Sequence, residues 1–453
     1  MAKKNSGLRV GGYIIRPLGL VLVGILVVAL IAVGAMLIIQ RVGSSYEPDI
    51  AVSKPTAAVT KTPDANPAAA GVTPAPTRAV TPTPAPTPIP TPALRQATIR
   101  SLGEIAVMSN LLQSAYTETD TTYDFEPMFE YIRDVVGNAD FTVGNVEGPM
   151  DNRKESPFSG KDPMNTPPKM MLSMRKAGVD MLTLANDHAL DMLFDGLLRT
   201  IENCKNADGE GGMKYVGAAA SQAERDQPNI VEINGISVAF LNYTSTLNGR
   251  EKAASSDAMK FGVNLVSKTN VKSDVKKARE AGADVVVAYA SWGDMRSRKL
   301  AEDQEAMSKA MVAAGVDVII GFNPHTVQPA YWLTGKRDDG TAQRTLCLFA
   351  TGNFLSDIRE QYFDSGVIFE FTIQETDGGK FEITSPAYIP TWVWRYKRES
   401  GSGYDYRVLA VGEWLDERPE GMSDADYTRL KAVWTEVQGT MSKGNADAKA
   451  LAN

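Results

Sequence analysis

Four short stretches of this chain end an apolar run in groups able to hold a cation or move a proton. GNADFTVGNVEGP closes on Asn145 and Glu147, and AGVDMLTLANDHALD on Asn186, Asp187 and His188. AGADVVVAYASWGDM closes on Ser291, Trp292 and Asp294, and AGVDVIIGFNPHTVQP on Asn323 and His325. The chain has two histidines in 453 residues, and both fall in these clusters. A site that clamps an attacking and a leaving oxygen between metal ions needs carboxylates and imidazoles together. An imidazole also titrates near neutral pH, so His188, beside Asp187, could protonate a leaving group. The plainer reading is a neutral His188 satisfied by Asp187 or Asp191, with polar residues that simply follow strands.

The elements that must position these groups share one plan. Each cluster follows a helix-stop Gly or Asn, an Asp and an apolar run that is continuous rather than alternating, as in strands covered on both faces. Helical stretches such as KSDVKKAREAG and QEAMSKAMVAAG precede the later two runs. Strand–helix alternation gives a largely parallel sheet, and ligands of such sheets gather beyond the carboxyl ends of the strands. All four clusters lie at that end, so one crevice can receive them. RSLGEIAVMSN opens the domain and adds Glu104 as a fifth candidate. The segments GVIFEFTIQE and KFEITSPAYIPTWVWRY, separated by Asp377-Gly378-Gly379, predict antiparallel pairing.

Composition bounds the rest. Lys3, Lys4, Arg9 and Arg16 precede an uncharged apolar run from Leu18 to Ile39. About 22 residues span roughly 33 Å as a helix, enough to cross a bilayer core. The expected order is a cytoplasmic stretch 1–17, a transmembrane helix 18–40, a Pro/Thr/Ala-rich linker 41–95, a domain 96–441 and a flexible tail 442–453. The basic residues set the orientation, a single-pass cell-membrane protein with its C-terminal domain extracytoplasmic. A cleaved signal peptide is the rival reading, with an apolar core normally about 7–15 residues long. The linker has too few large apolar residues to offset its ordering entropy and favours an extended stalk. A net charge of −7 without a basic stripe argues against nucleic acid as a partner. Cys204 and Cys347 could pair outside the cell; two buried thiols are the plainer expectation.

GNVEGP, LANDHALD, AGVDVIIGFNPHTVQP and ATGNFLSD, in this order, resemble the poly-γ-glutamate capsule synthesis proteins, the CapA-like branch of the calcineurin-type metallophosphatase fold. The likeness runs from about Leu102 to Ala387. It implies a four-layer α-β-β-α sandwich of α/β class, of metallophosphatase type, preceded by the transmembrane helix and stalk. It also implies an extracytoplasmic role in making or anchoring an anionic envelope polymer, with that polymer or its precursor, and other capsule-assembly membrane proteins, as partners. The chain departs from the family pattern at several positions. Gly103-Glu104 stands for Gly-Asp, and a family histidine falls near Met108. Ser291-Trp292-Gly293 stands for His-Trp-Gly, and Phe322-Asn323-Pro324-His325 for a segment with two histidines.

On this pattern Glu104, Asn145, Glu147, Asp187 and His325 are the candidate ligands of one divalent ion (Mn, Mg or Zn). His188 and Asp187 are the candidate proton-transfer groups, and Trp292, Asn323 and Asn353 the candidate substrate contacts. Thioether is a poor ligand for hard ions and a neutral hydroxyl a weak one, so a complete dinuclear centre is not expected. Two functions fit: a capsule-assembly module with a degenerate metal site, or a metal-dependent hydrolase or transferase acting on an amide or phosphoester of an envelope polymer.

Overall fold

The computed structural model describes residues 8–10, 13–15, 93–119, 122–207, 212–398 and 402–453. The chain divides into two compact units, Met1–Asp49 and Ile50–Asn453. In the first, Leu8–Val10 pairs antiparallel with Tyr13–Ile15. The expected membrane span and the linker as far as residue 92 lie outside the described residues. Among the described residues no helix is long and apolar enough to cross a membrane.

The second unit is a mixed α/β fold with two large sheets. In one, Gln96–Ile105, Phe141–Val146, Met181–Thr183 and Lys214–Val216 run parallel, side by side. Ser365–Glu375, Phe381–Lys397 and Tyr404–Ala410 continue it antiparallel beyond Gln96–Ile105, and the hairpin about residues 377–379 forms as the sequence predicts. Asn353–Leu355 adds a short parallel pairing to Gln96–Ile105. In the other sheet, Ile236–Thr244, Val285–Ser291, Val318–Phe322 and Ala342–Thr351 are parallel. Antiparallel Ile230–Ile233 and Val327–Lys336 flank them.

Three apolar clusters set the layers. Phe141, Val143 and Met181 of the first sheet meet Val238, Phe240, Val287 and Ile320 of the second. The outer face of the first sheet carries Met170, Met174, Leu197 and Ile201 from helices Lys169–Lys176 and Leu193–Lys205. That of the second carries Val271, Val275, Met311 and Val312 from helices Lys268–Glu280 and Glu302–Ala314. Val285–Ser291 thus sends Val285, Val287 and Tyr289 between the sheets, and Val286, Ala288 and Ala290 under the helices. Both faces are buried, which is why the run does not alternate.

The aspartate that recurs before each run has a structural task. Asp140, Asp180, Asp284 and Asp317 accept the backbone N–H of Thr98, Thr142, Ser237 and Val286, each on the neighbouring parallel strand, at 2.7–2.9 Å. The aspartate N–H returns a bond to the carbonyl of that same residue in every case. A neighbouring pair of strands is therefore stitched at its amino end, which fixes register there.

The stretch 442–453 is not frayed. Lys449–Ala450 pairs parallel with Ala387–Tyr388, and Leu451 N donates to Tyr388 O at 2.9 Å. Chain ends fray unless tied down, and backbone pairing to an existing strand ties this one down. Cys204 and Cys347 are buried, unpaired thiols.

Candidate metal and proton-transfer site

Strand register brings the first candidates into line. Glu104 is paired with Asn145 on one side and Asn353 on the other, and Asn145 with Thr183. Gly103 makes this possible: a Cβ there would lie 2.5 Å from Gly352 O. Glu104 N donates to that same carbonyl at 2.8 Å. In the second sheet, Ser291 and Phe322 end neighbouring strands in register, which delivers residues 323–325 to the same crevice.

Glu104, Glu147 and His325 close on one point. Each offers an atom within 4.8 Å of the other two, and all three residues are buried. His325 Nδ1 lies 2.9 Å from Asn353 Oδ1, while Nε2 lies 3.5 Å from Glu147 Oε1. An amide oxygen only accepts, so Nδ1 carries the proton and Nε2 faces the carboxylate. Glu104 Oε1 takes the Asn323 N–H at 3.0 Å, and Oε2 is buried without a hydrogen-bond partner. A buried oxygen without a donor is costly unless a proton or a cation serves it.

The electrostatics agree. Burial pushes the Glu104 carboxyl well above its ordinary range; His325 pulls it back, and Glu147 and Asp187 push it further. Burial disfavours a charged His325, but Glu104, Glu147, the Asn353 bond and Asp187 outweigh it and raise its pKa to about 9. A cation between these groups would take over the proton's task. The donor set, two carboxylates and one imidazole, suits one hard or borderline ion.

Asn145 joins by its amide orientation. Its Oδ1 accepts the Thr183 hydroxyl at 2.9 Å, leaving Nδ2 buried without a partner. The opposite orientation gives Nδ2 to Thr183, whose hydroxyl accepts equally well, and frees Oδ1 for a cation. Asp187 lies beside the trio but outside the set that closes on one point. Its Oδ2 takes the Asn248 amide at 2.8 Å, and burial and Glu147 raise its pKa against His188 and Asn248.

His188 belongs to a separate network. Nδ1 is 2.8 Å from Asp191 Oδ2, and Nε2 is 3.7 Å from Asp187 Oδ2. Asp191 also takes the Met164 N–H at 2.6 Å and Arg250 Nε at 2.8 Å. Arg250 reaches on to Asp162. Asp162, His188 and Asp191 are near enough together for an ion, yet the guanidinium already supplies the positive charge. Burial opposes a charged His188, but the Asp191 bond and the charges of Asp187 and Glu147 raise its pKa to about 9. Asn186 fixes the turn, accepting Gly148 N and His188 N and donating to Val146 O.

Three expected substrate contacts have other tasks. Trp292 is fully buried, stacks on Phe349 and donates its indole N–H to Phe349 O at 2.9 Å. Neither ring face is open to a ligand. Asn323 turns its amide to Gly293 O at 2.9 Å and uses its backbone N–H on Glu104. Asn353 spends its amide on His325 and Phe363 O. The two asparagines therefore orient ligand residues.

Met108 packs against the helical cluster, and Ser291 Oγ is buried with no partner. Sequence reasoning missed Asn248 and Arg250. Their one local signal is the Asn-Gly turn after ISVAFLNYT, at the carboxyl end of another parallel strand.

Residues 98–358, more than half of the chain, match the family model described as "Bacterial capsule synthesis protein PGA_cap". The chain is 28% identical over 265 residues to the capsule biosynthesis protein CapA of Bacillus anthracis, spanning 57% of this chain and 60% of that protein. It is 22% identical over 280 residues to the PGA biosynthesis protein CapA of Bacillus subtilis (strain 168), spanning 61% and 69% respectively. Among solved structures, the calcineurin-like phosphoesterase YfkN of Bacillus subtilis gives a TM-score of 0.40 at 12% identity, covering 76% of this chain and all of that one. The NAD nucleotidase NadN of Haemophilus influenzae gives 0.39 at 11% identity, covering 76% and 63%.

Proposed function

This chain belongs to the bacterial capsule synthesis protein PGA_cap family, and from that premise we propose that it serves the synthesis, anchoring or assembly of a capsule or envelope polymer through one divalent-cation site. The names of the two CapA relatives support a place in capsule biosynthesis. The observation that carries the site is the convergence of Glu104, Glu147 and His325, with an unserved Glu104 oxygen among them. In this reading the layered sandwich is of the metallophosphatase type and the site is reduced from two ions to one. The uncharged apolar run 18–39 supports an anchor that holds the domain outside the membrane, where an anionic polymer or its precursor and other assembly proteins would meet it.

A bound cation would polarise an oxygen of the polymer and neutralise charge there. The chain's own groups do the rest. Asn353 and Asn323 hold His325 and Glu104 in place, and His188, aligned by Asp191, presents Nε2 for proton transfer. The second reading, a working hydrolase or transferase, is favoured by this alignment of His188.

Titration of the purified domain with Mn²⁺ or Zn²⁺, beside assays of phosphoester and amide hydrolysis, tests both. One stoichiometric ion, lost in Glu147→Ala and His325→Ala, is expected. Two tight ions with turnover abolished in His188→Ala would replace the assembly reading with the enzyme. Protease added to spheroplasts should digest the domain; protection would remove the proposed topology.

A further inference from the structure

The candidate ligand groups of the crevice have little exposure to solvent. Glu104, Glu147, Asp187 and His325 are all buried, and segment 245–257 covers the Asp187 side. It follows Ile236–Thr244 of the second sheet but is fastened to residues belonging to the first. Leu247 is fully buried in the apolar cluster on the outer face of the first sheet, where Ala253 packs in part. Asn248 Nδ2 holds Asp187 Oδ2 at 2.8 Å, and Arg250 bridges Asp191 and Asp162. The backbone bonds between 246 and 257 are local turns, such as Arg250 N to Leu247 O at 2.9 Å and Ala253 N to Arg250 O at 2.8 Å. Asn248 and Gly249 stand in succession at positive φ, 53° and 76°.

We propose that 245–257 is a strap that opens and closes over the crevice, latched by Asn248 on Asp187 and by Arg250 on Asp191 and Asp162. Between 246 and 254 the strap has no backbone pairing to a neighbouring strand or helix; lifting must give up Leu247 from the apolar cluster and the part-buried latch bonds, each of modest net strength. Lifting exposes Asp187 and the Nε2 side of His188, the groups a polymer would have to meet. This requires the crevice only, so the strap and the cation site can fail separately.

Carbethoxylation by diethyl pyrocarbonate reads the strap, because the chain has only two histidines and peptide masses locate each modified imidazole. At fixed pH, Asn248→Ala with Arg250→Ala should raise the modification rate of His188 roughly tenfold, as expected for the loss of about one net charge-assisted bond. Loss of the Arg250 charge alone would leave His188 more protonated and slower to react, so a rise reports access. Arg296→Ala is the control. Its Glu360 pair lies 2.6 Å away on another rim, and its removal should not change that rate. An unchanged rate in a folded double variant would overturn the strap, as would an equal rise in Arg296→Ala. Should the double variant not fold, Asn248→Ala and Arg250→Ala singly should each give part of the rise, and a folded single variant without any would be decisive against it.

Discussion

Asn353 Oδ1 holds His325 Nδ1 at 2.9 Å and thereby turns Nε2 toward Glu147, 3.5 Å away. The amide does for the imidazole what outer-shell carboxylates and carbonyls do for metal-binding histidines: it selects the tautomer and the ring plane. Asn353→Ala should weaken Mn²⁺ or Zn²⁺ binding about 10–100-fold while leaving one site per chain. Calorimetric titration checks this. Unchanged affinity would show that His325 does not bind through Nε2.

The two imidazoles give the cation-free protein a definite pH dependence. Each has its folded pKa raised from 6.5 to about 9. The stabilisation is therefore fully present below about 6.5 and lost as pH rises through about 9. Glu104 and Asp187 are also raised, so losing their protons acts in the same direction. In chelator, the melting temperature should fall across this window, and His188→Gln and His325→Gln should each flatten the fall. A melting temperature that rises toward pH 9 would contradict the assignment.

Asp191 binds His188, Arg250 and the Met164 N–H together. Asp191→Ala should cost about 2 kcal/mol, less than the 3–5 kcal/mol of a fully buried pair because Arg250 is a quarter exposed. The His188 pKa, read by nitrogen NMR, should fall toward its ordinary value. If it stays near 9, Asp187 and Glu147 alone hold the charge.

Asp284→Ala removes the acceptor of Ser237 N without touching the crevice. The expected loss is about 1–2 kcal/mol, seen as a lower urea midpoint at constant slope, with cation affinity unchanged. A change in affinity would mean that register at one end of the sheet is felt at the other.

The doubly covered parallel strands were legible in the sequence because burial on both faces writes itself as a continuous apolar run. Glu147, His188 and His325 were legible as candidates because each falls in the polar cluster that closes such a run. What could not be read was the division among them, since His188 pairs with Asp191 three residues on while His325 reaches a glutamate from the other sheet. Asn248 and Asp187 are 61 residues apart, and no local pattern announces a contact made by a loop crossing between sheets. Trp292 was misjudged for a related reason: an indole at a strand end looks the same whether it faces a ligand or Phe349.

The aspartates of the stitched strands put the instructions for alignment at one end of the sandwich and the chemistry at the other. Such a scaffold is modular. A substitution at Ser291 would change what the mouth can hold, while Asp284 and Asp317 would still set the height at which each strand emerges. Drift in the reactive groups is thereby uncoupled from the ability to fold, and the same barren or productive mouth could be rewritten residue by residue on an unchanged frame.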